Sequence, residues 1–425
     1  MNNNLEEVLN KRVITTPDRF CYGVFRLATK WLNFKYKPKY NYHFDKKEVE
    51  GKQVVLIGDH AGFSSFYYML GGYPFARINA VTGYHQVFRK FLFTLLLKAG
   101  VIPKRHFSKD VSTVRWILKL AKQGNSIGIF PEGLYSISGS NHPINPGTLS
   151  LIKKLELPVV LFKSYGLQCS HPSFKDRSVK GKQEYHYEIL FTPEELRTKT
   201  EDELYDKLLE RFRYNDYAWA NREKNAYDWK GRQAEGVEQL IYRCPKCGSE
   251  FTITSHMDMI RCTSCGNTIR MSECYELSPA GAEDVCPYQN TDEWFKDQRK
   301  HVIKEIADPN YSVSYECEMI DLHTDKTRFK PYYVCGEGTT TINHEAIVYK
   351  GSYKGEYVEL SFDIAKIPCF KFEENCRNVF YYDKQYYSMK PRDGRAVKYL
   401  MIGEELHNQI DPIWNKVCRD AYGGL

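Results

Sequence analysis

Ser126–Gly133, SIGIFPEG, is a short apolar run that passes directly into Pro131, Glu132 and Gly133. It reads as a strand running into a turn. Working outward, Lys52–Ile57 (KQVVLI) is a second β-branched run, followed by the polar turn Gly58-Asp59-His60. Phe75–Ala80, Pro158–Lys163 (PVVLFK) and Tyr185–Phe191 are further strand candidates. Helical periods lie between them: Tyr84–Ala99 carries Phe88, Leu92, Leu95 and Ala99 on one stripe, and Asp110–Lys122 carries Val111, Val114, Leu118 and Ala121. Glu201–Arg213 is a charged helix that closes the region. This alternation predicts an α/β fold, with helices packed over a mostly parallel sheet.

The chain has 425 residues, too many for one ordinary core, so two or three domains are expected. Hydrophobic residues at 42% and charged residues at 27% exclude a disordered chain. The formal net charge of +7 suits a protein that meets anionic lipid or phosphate-bearing substrates. No basic run interleaved with aromatics marks a nucleic-acid binder, and no nucleic-acid partner is expected. The cysteines number 13, with four in two CxxC pairs, which reads as metal plus free thiols in a reducing compartment. MNNNLEEVLN lacks a basic-then-apolar signal, and no apolar stretch approaches the ~20 residues that span a bilayer, so a cytoplasmic protein is expected.

Residues 214–236 are polar and aromatic without a period and read as a connector packed on a surface. From about 310 to 400, short Tyr-, Val- and Ile-rich runs separated by turn signals predict antiparallel β structure, and Arg395–Asn415 predicts a closing helix. The expected domains are 1–230 with an N-terminal interfacial segment, 240–275, and 305–425. The order of the last resembles a pleckstrin-homology-like or GRAM-like barrel with a terminal helix, a likeness of fold that carries no function.

Cys244-Pro-Lys-Cys247-Gly and Cys262-Thr-Ser-Cys265-Gly are two copies of one knuckle, 14 residues apart. Each pair can place two thiolates on one metal, and the following Gly frees the backbone to turn toward sulfur. Four thiolates complete the tetrahedron of a structural Zn²⁺ and leave no open position for catalysis, so a zinc ribbon is expected with Thr252–Thr254 and Met259–Arg261 as its strands. SEFTITSHMDMI between the knuckles contains no Lys or Arg, which is poor material for a nucleic-acid reader.

Four blocks recur in order over about residues 50–192: IGDHAGFSSF with His60, Gly100-Val-Ile-Pro103-Lys104-Arg105, Phe130-Pro131-Glu132-Gly133, and Leu157-Pro158-Val159-Val160. In these the chain resembles the lysophospholipid and glycerophosphate acyltransferase family, the group that makes phosphatidic acid. The resemblance implies an acyl transfer from acyl-CoA or acyl-carrier protein to a lysophospholipid acceptor, 1-acyl-glycerol-3-phosphate, at the inner face of a membrane. His60 would be the general base, a task suited to an imidazole. Glu132 and nearby amides would bind the glycerol and phosphate part of the acceptor, and Lys104 or Arg105 would neutralise the phosphate.

Two positions depart from the family pattern. Five residues after His60 stands Ser65, where the family has Asp; its hydroxyl could orient the imidazole without stabilising imidazolium by charge. Tyr135 stands where the family has Arg after FPEG. A catalytically weakened lipid-binding or scaffolding protein is therefore the alternative expectation. Two segments read as interfacial helices: Tyr22–Lys37, which mixes Phe25, Leu27, Trp31, Leu32 and Phe34 with Arg26, Lys30, Lys35 and Lys37, and Tyr84–Gly100 around Phe91–Leu97. For the second, a core-facing helix with a solvated basic side is the competing expectation.

Overall fold

The computed structural model describes residues 14–62, 64–83, 87, 93–108, 110–321, 333–373, 376–383 and 385–422. Its first sheet contains β1 (Lys39–Tyr42), β2 (Val55–Gly58), β3 (Ile78–Gly83), β4 (Ile102–Lys104), β5 (Ser126–Ile129), β6 (Val159–Tyr165) and β7 (Glu184–Phe191), in the order β1-β7-β6-β2-β5-β3-β4. Every pairing is parallel except β6 with β7. β2 and β5 are buried along their whole length, as expected of parallel strands covered on both faces.

The strand period of two divides these residues between two cores. Val55, Ile57 and Ile127 face one, with Ile117 and Leu120 of α3 (Val111–Lys122), Leu149 and Ile152 of α4 (Pro146–Leu155), and Leu204 and Leu208 of α5 (Glu201–Phe212). Leu56, Val160 and Phe162 face the other, with Tyr68 and Met69 of α2 (Ser65–Gly71) and the β7 tyrosines Tyr185 and Tyr187.

α3 sits where the periodicity predicts it, but its buried face is Thr113, Ile117 and Leu120, while Val111 and Val114 are exposed. The rotation follows from local bonds. Asp110 caps the helix by accepting from Thr113 N–H, and the Thr113 hydroxyl donates to Pro103 O at 2.8 Å, turning that face toward β4. The strand expected at 75–80 lies at Ile78–Gly83. Of the helix expected at Tyr84–Ala99, Phe93–Lys98 is helical, whereas Phe88, Arg89, Lys90, Phe91 and Leu92 lie outside the described residues.

α1 (Arg19–Tyr36) begins at the Asp18 cap and presents two apolar faces. Tyr22, Phe25 and Leu32 pack inward, with Phe25 stacked on Tyr67 at 5.0 Å and edge-on to Phe66 at 5.3 Å. The other face leaves Phe20 78%, Leu27 62%, Trp31 59% and Phe34 80% exposed, and Lys35 lies 5.3 Å from the Trp31 ring. No helix among the described residues is long and apolar enough to cross a membrane.

The segment 214–236, expected to be a connector packed on a surface, buries its aromatic residues and leaves Arg222, Glu223, Lys224, Asp228, Lys230 and Arg232 exposed. Tyr217, Trp219, Tyr227 and Trp229 belong to one continuous core that also takes in the next sheet, made of β8 (Ile253–His256), β9 (Met259–Cys262), β10 (Thr268–Met271) and β11 (Leu277–Pro279). Tyr217 and Trp219 lie on a short helix, Asp216–Glu223, while Tyr227 and Trp229 follow in irregular chain, so no single period runs through the segment. That core continues through α6 (Thr291–Glu305) into a seven-stranded antiparallel sheet. Its strands are β12 (Ser312–Asp321), β13 (Tyr333–Asn343), β14 (Ala346–Tyr353), β15 (Glu356–Asp363), β16 (Lys371–Glu373), β17 (Arg377–Tyr382) and β18 (Gln385–Pro391), in the order β15-β14-β13-β12-β18-β17-β16.

The closing helix is two helices, α7 (Ala396–Ile410) and α8 (Pro412–Tyr422), because Pro412 cannot continue the hydrogen-bond ladder. Arg299 of α6 is buried and donates to Glu405 at 2.9 Å and Glu404 at 2.8 Å, while Arg419 of α8 donates to Glu405 at 2.5 Å. Two cations and two carboxylates thus neutralise one another inside the structure and fasten three helices together, the condition under which buried charge is tolerated. Glu404 also accepts from Phe370 N–H at 3.2 Å and so anchors the start of β16.

Candidate functional site

β2 and β5 are neighbours with Ile57 opposite Ile129, so the loops leaving their carboxyl ends emerge side by side. In open α/β sheets this is where ligands bind. The register brings His60 against Phe130–Gly133 although they are far apart in sequence. Glu132 is buried, and its two oxygens accept from the backbone N–H of His60 at 2.8 Å and of His142 at 2.6 Å. Burial raises its pKa well above the carboxylate range, against the pull of those two donors. Glu132, expected to bind the acceptor, lines the cavity and also holds the two loops together. Gly133 sits at φ +74°, where a Cβ would lie 3.5 Å from the Phe107 ring.

The His60 imidazole stacks on Phe130 at 4.3 Å and meets the edge of Tyr135 at 5.9 Å. Its Nδ1 is buried with no hydrogen-bond partner among the described residues. Burial, and after it the positive charge of Lys371, push its pKa down to about 3. Ser65 does not reach the imidazole: its hydroxyl accepts from Gly62 N–H at 3.1 Å and closes the turn that starts α2. Asp59 points away, accepting from the N–H and hydroxyl of Ser164 on β6. Two aromatic rings, and not a carboxylate or a serine, define the plane of this histidine.

The site opens into a cavity of about 1210 Å³, larger than the ~300–1,000 Å³ of ordinary small-ligand pockets. One wall comes from the first sheet and its loops, including His60, Phe66, Tyr67, Lys104, Phe130 and Tyr135. The opposite wall comes from the C-terminal sheet and helices, including Lys371, Tyr381, Tyr382, His407 and Trp414. Two seams bind the walls. Tyr135 OH donates to Phe372 O at 3.4 Å, and His106 meets Tyr386 OH through its backbone N–H and Nδ1 at 3.3 and 3.1 Å.

The two basic candidates part company. Lys104 lines the cavity; its Nζ donates to the carbonyl oxygens of Arg105 at 3.3 Å and Ser108 at 3.5 Å, and burial lowers its pKa. Arg105 is turned onto Asp110, with Nη1 at 3.3 Å and its backbone N–H at 3.0 Å, and is not among the cavity-lining residues. Asp110, which also lines the cavity, is thereby engaged with Arg105 and the α3 cap. Pro131 is buried and lines the cavity. Lys109, another basic residue of this block, lies outside the described residues. Sequence reasoning missed His142, Lys371 and Trp414. His142 lies in the loop that follows FPEG, within reach of a longer motif; the other two have no local signal.

Cys244, Cys247, Cys262 and Cys265 converge, with all four sulfurs within 4.8 Å of one another. Cys244 lies 3.7 Å from Cys265 and Cys247 lies 3.8 Å from Cys262. A tetrahedral Zn²⁺ with Zn–S of about 2.3 Å separates its sulfurs by about 3.8 Å, which these two separations match. The knuckles are copies in three dimensions too: Gly248 N–H donates to Cys244 O and Gly266 N–H to Cys262 O, both at 3.0 Å, with both glycines at positive φ.

Residues 237–271 match the zinc-ribbon family described as DNA directed RNA polymerase, 7 kDa subunit. Among solved structures, the 1-acyl-sn-glycerophosphate (LPA) acyltransferase PlsC from Thermotoga maritima is similar over 46% of this chain and 76% of its own, at 15% identity and a TM-score of 0.38. No curated protein matches the chain.

Proposed function

We propose that the chain is an acyltransferase of phospholipid synthesis, moving a fatty acyl group from acyl-CoA or acyl-carrier protein to the hydroxyl of a lysophospholipid, 1-acyl-glycerol-3-phosphate, with His60 as general base. The observation that carries this reading is the His60 imidazole, fixed between Phe130 and Tyr135 on the wall of a cavity large enough for a lipid. Burial and Lys371 keep the ring neutral at pH 7, the form that can accept a proton, while making it a weaker base than a free imidazole. The acceptor hydroxyl gives its proton to the imidazole as its oxygen attacks the thioester carbonyl. The new C–O bond forms, the C–S bond breaks, and the proton passes from the imidazolium to the leaving thiolate.

The test is acyl transfer by purified protein from acyl-CoA and from acyl-carrier protein to lysophosphatidate and a panel of other lysolipids. Turnover with lysophosphatidate is the expected result; silence across the panel with both donors rejects the transferase. A second reading, a protein that holds lipid without turnover, is favoured because no carboxylate among the described residues hydrogen-bonds the His60 imidazole and stabilises the imidazolium. Lipid binding without transfer would establish it.

The membrane surface belongs to the same proposal. Phe20, Leu27, Trp31 and Phe34 recur at helical spacing on the outer face of α1, whose inner face holds Phe66 and Tyr67 at the cavity wall. Lys30, Lys35 and Lys37 flank that stripe and suit an anionic lipid face. Phe20→Ser, Trp31→Ser and Phe34→Ser together are expected to weaken flotation with anionic vesicles by at least about 100-fold while leaving the melting temperature unchanged. Undiminished flotation rejects α1 as the contact.

A further inference from the structure

We infer that the C-terminal sheet supplies part of the anion-binding pole of the cavity: Lys371, acting with Lys104 from the opposite wall, receives a phosphate monoester. The inference deepens the acyltransferase reading, naming the acceptor group recognised and the domain that recognises it.

Lys371 opens β16 and lies on the cavity wall, 8% exposed. A lysine so placed is uncommon, because an ammonium loses most of its hydration there. Its position is imposed from several sides. Glu373 accepts from its Nζ at 2.5 Å and is itself held by Arg377 at 2.7 Å. Its ammonium stands 5.4 Å from the centre of the Tyr135 ring. The residue before it, Phe370, is pinned through its N–H to Glu404 of the buried ion cluster. A side chain fixed by strand, ion pair and ring, with its charge beside the cavity, is preorganised for a ligand.

Lys104 repeats the condition on the other wall. Among the described residues its Nζ meets carbonyl oxygens and no carboxylate, because the Asp110 oxygens accept from Arg105, Ser112 and Thr113. Carbonyl oxygens satisfy the donors of the ammonium, and its charge is offset only in part, by the nearby Asp110 carboxylate that Arg105 already shares. The second position after FPEG, where the family this motif resembles has Arg, is Tyr135 here, and the Lys371 ammonium lies against that ring. The cation missing from the motif is thus replaced in space by one from a strand more than two hundred residues later. The same charge lowers the proton affinity of His60, so an anion seated beside Lys371 would offset that effect and make the bound-state imidazole the stronger base.

The test is equilibrium binding by calorimetry to the full chain. The ligands are a short-chain lysophosphatidate, the monoacylglycerol of the same chain length, glycerol 3-phosphate and inorganic phosphate. Wild type is expected to prefer lysophosphatidate to monoacylglycerol by about 10-fold or more. Lys371→Gln and Lys104→Gln are each expected to weaken lysophosphatidate by about 10-fold to 100-fold and to leave monoacylglycerol unchanged, with Lys371→Arg retaining most of the affinity. Unchanged monoacylglycerol binding also reports that a variant is folded. The phosphate arms separate the sources: a loss shared by glycerol 3-phosphate and inorganic phosphate marks a site for the phosphate itself, and a loss confined to lysophosphatidate marks a lipid headgroup site. Equal wild-type affinity for the charged and uncharged lipids overturns the inference whatever the variants do, as does a folded Lys371→Gln that binds lysophosphatidate like wild type. Charge-dependent binding without acyl transfer rejects the transferase alone. Transfer indifferent to Lys371→Gln rejects this inference alone.

Discussion

Stripping the metal from Cys244, Cys247, Cys262 and Cys265 is expected to expose residues 237–279 to protease and to lower the melting temperature of everything packed on them. The ribbon strands are only three or four residues long, so burial alone holds them weakly. Structural zinc contributes on the order of 10–16 kcal/mol to such modules at neutral pH, comparable to or larger than the ~5–15 kcal/mol that holds a typical domain folded. The loss would not stay local. Trp229 Nε1 donates to Tyr275 OH at 2.5 Å, Tyr242 N–H donates to Gln298 of α6 at 2.6 Å, and Trp294 Nε1 donates to Arg243 O at 2.8 Å. Limited proteolysis with mass spectrometry, before and after chelation, reads the effect. Cys262→Ser should reproduce it and Cys274→Ser should not, since Cys274 lies outside the cluster. A metal-free protein with an unchanged cleavage pattern would sink the assignment.

Replacing His60 by Ala is expected to cost about 10²–10⁴ in kcat while leaving lysolipid binding within a few-fold, since the imidazole acts on the proton of the hydroxyl. The pH profile carries a sharper signature. The base works deprotonated, and burial with Lys371 pushes the His60 pKa from the ordinary 6.5 to about 3. The ring therefore stays a base well below neutrality, and kcat/KM, which reports the free enzyme, should fall only as pH drops toward that lowered value. In Lys371→Gln one of the forces holding the ring unprotonated is gone, so the acid limb should move to higher pH. A His60→Ala variant retaining a tenth of the activity contradicts the assignment, whereas an acid limb near 6.5 in wild type contradicts only the lowered pKa of the ring.

The parallel sheet and the four-cysteine cluster were legible because their signals are local. A β-branched run bounded by turns declares a strand, and two CxxCG copies declare a tetrahedral site. The meeting of His60 with FPEG was legible through the resemblance of ordered blocks. What stayed hidden depends on contacts between distant segments. Nothing near Arg105 announces that Asp110 will take it, and the α3 stripe was misread because Thr113 turns inward to bond Pro103. The depth of the connector was hidden because Tyr217, Trp219, Tyr227 and Trp229 enter the core from between exposed charged residues. Lys371, in the short run KFE, resembles any strand lysine until Tyr135 is placed beside it.

The continuous core that gathers residues from Ile137 to Leu406 also sets an order on how the molecule is built during synthesis. The ribbon closes within Cys244–Cys265, so metal capture needs only nearby chain and can happen as soon as that stretch leaves the ribosome. The partners Leu400, Met401 and Ile402 emerge about 160 residues after Tyr242, roughly 10–30 s later at ~5–20 residues per second. Through that interval Tyr242 and the ribbon face of the core stand open, and non-local closure of this kind is slow and prone to aggregation. Captured zinc thus holds a folded middle in waiting, a nucleus on which the later sheet and helices assemble.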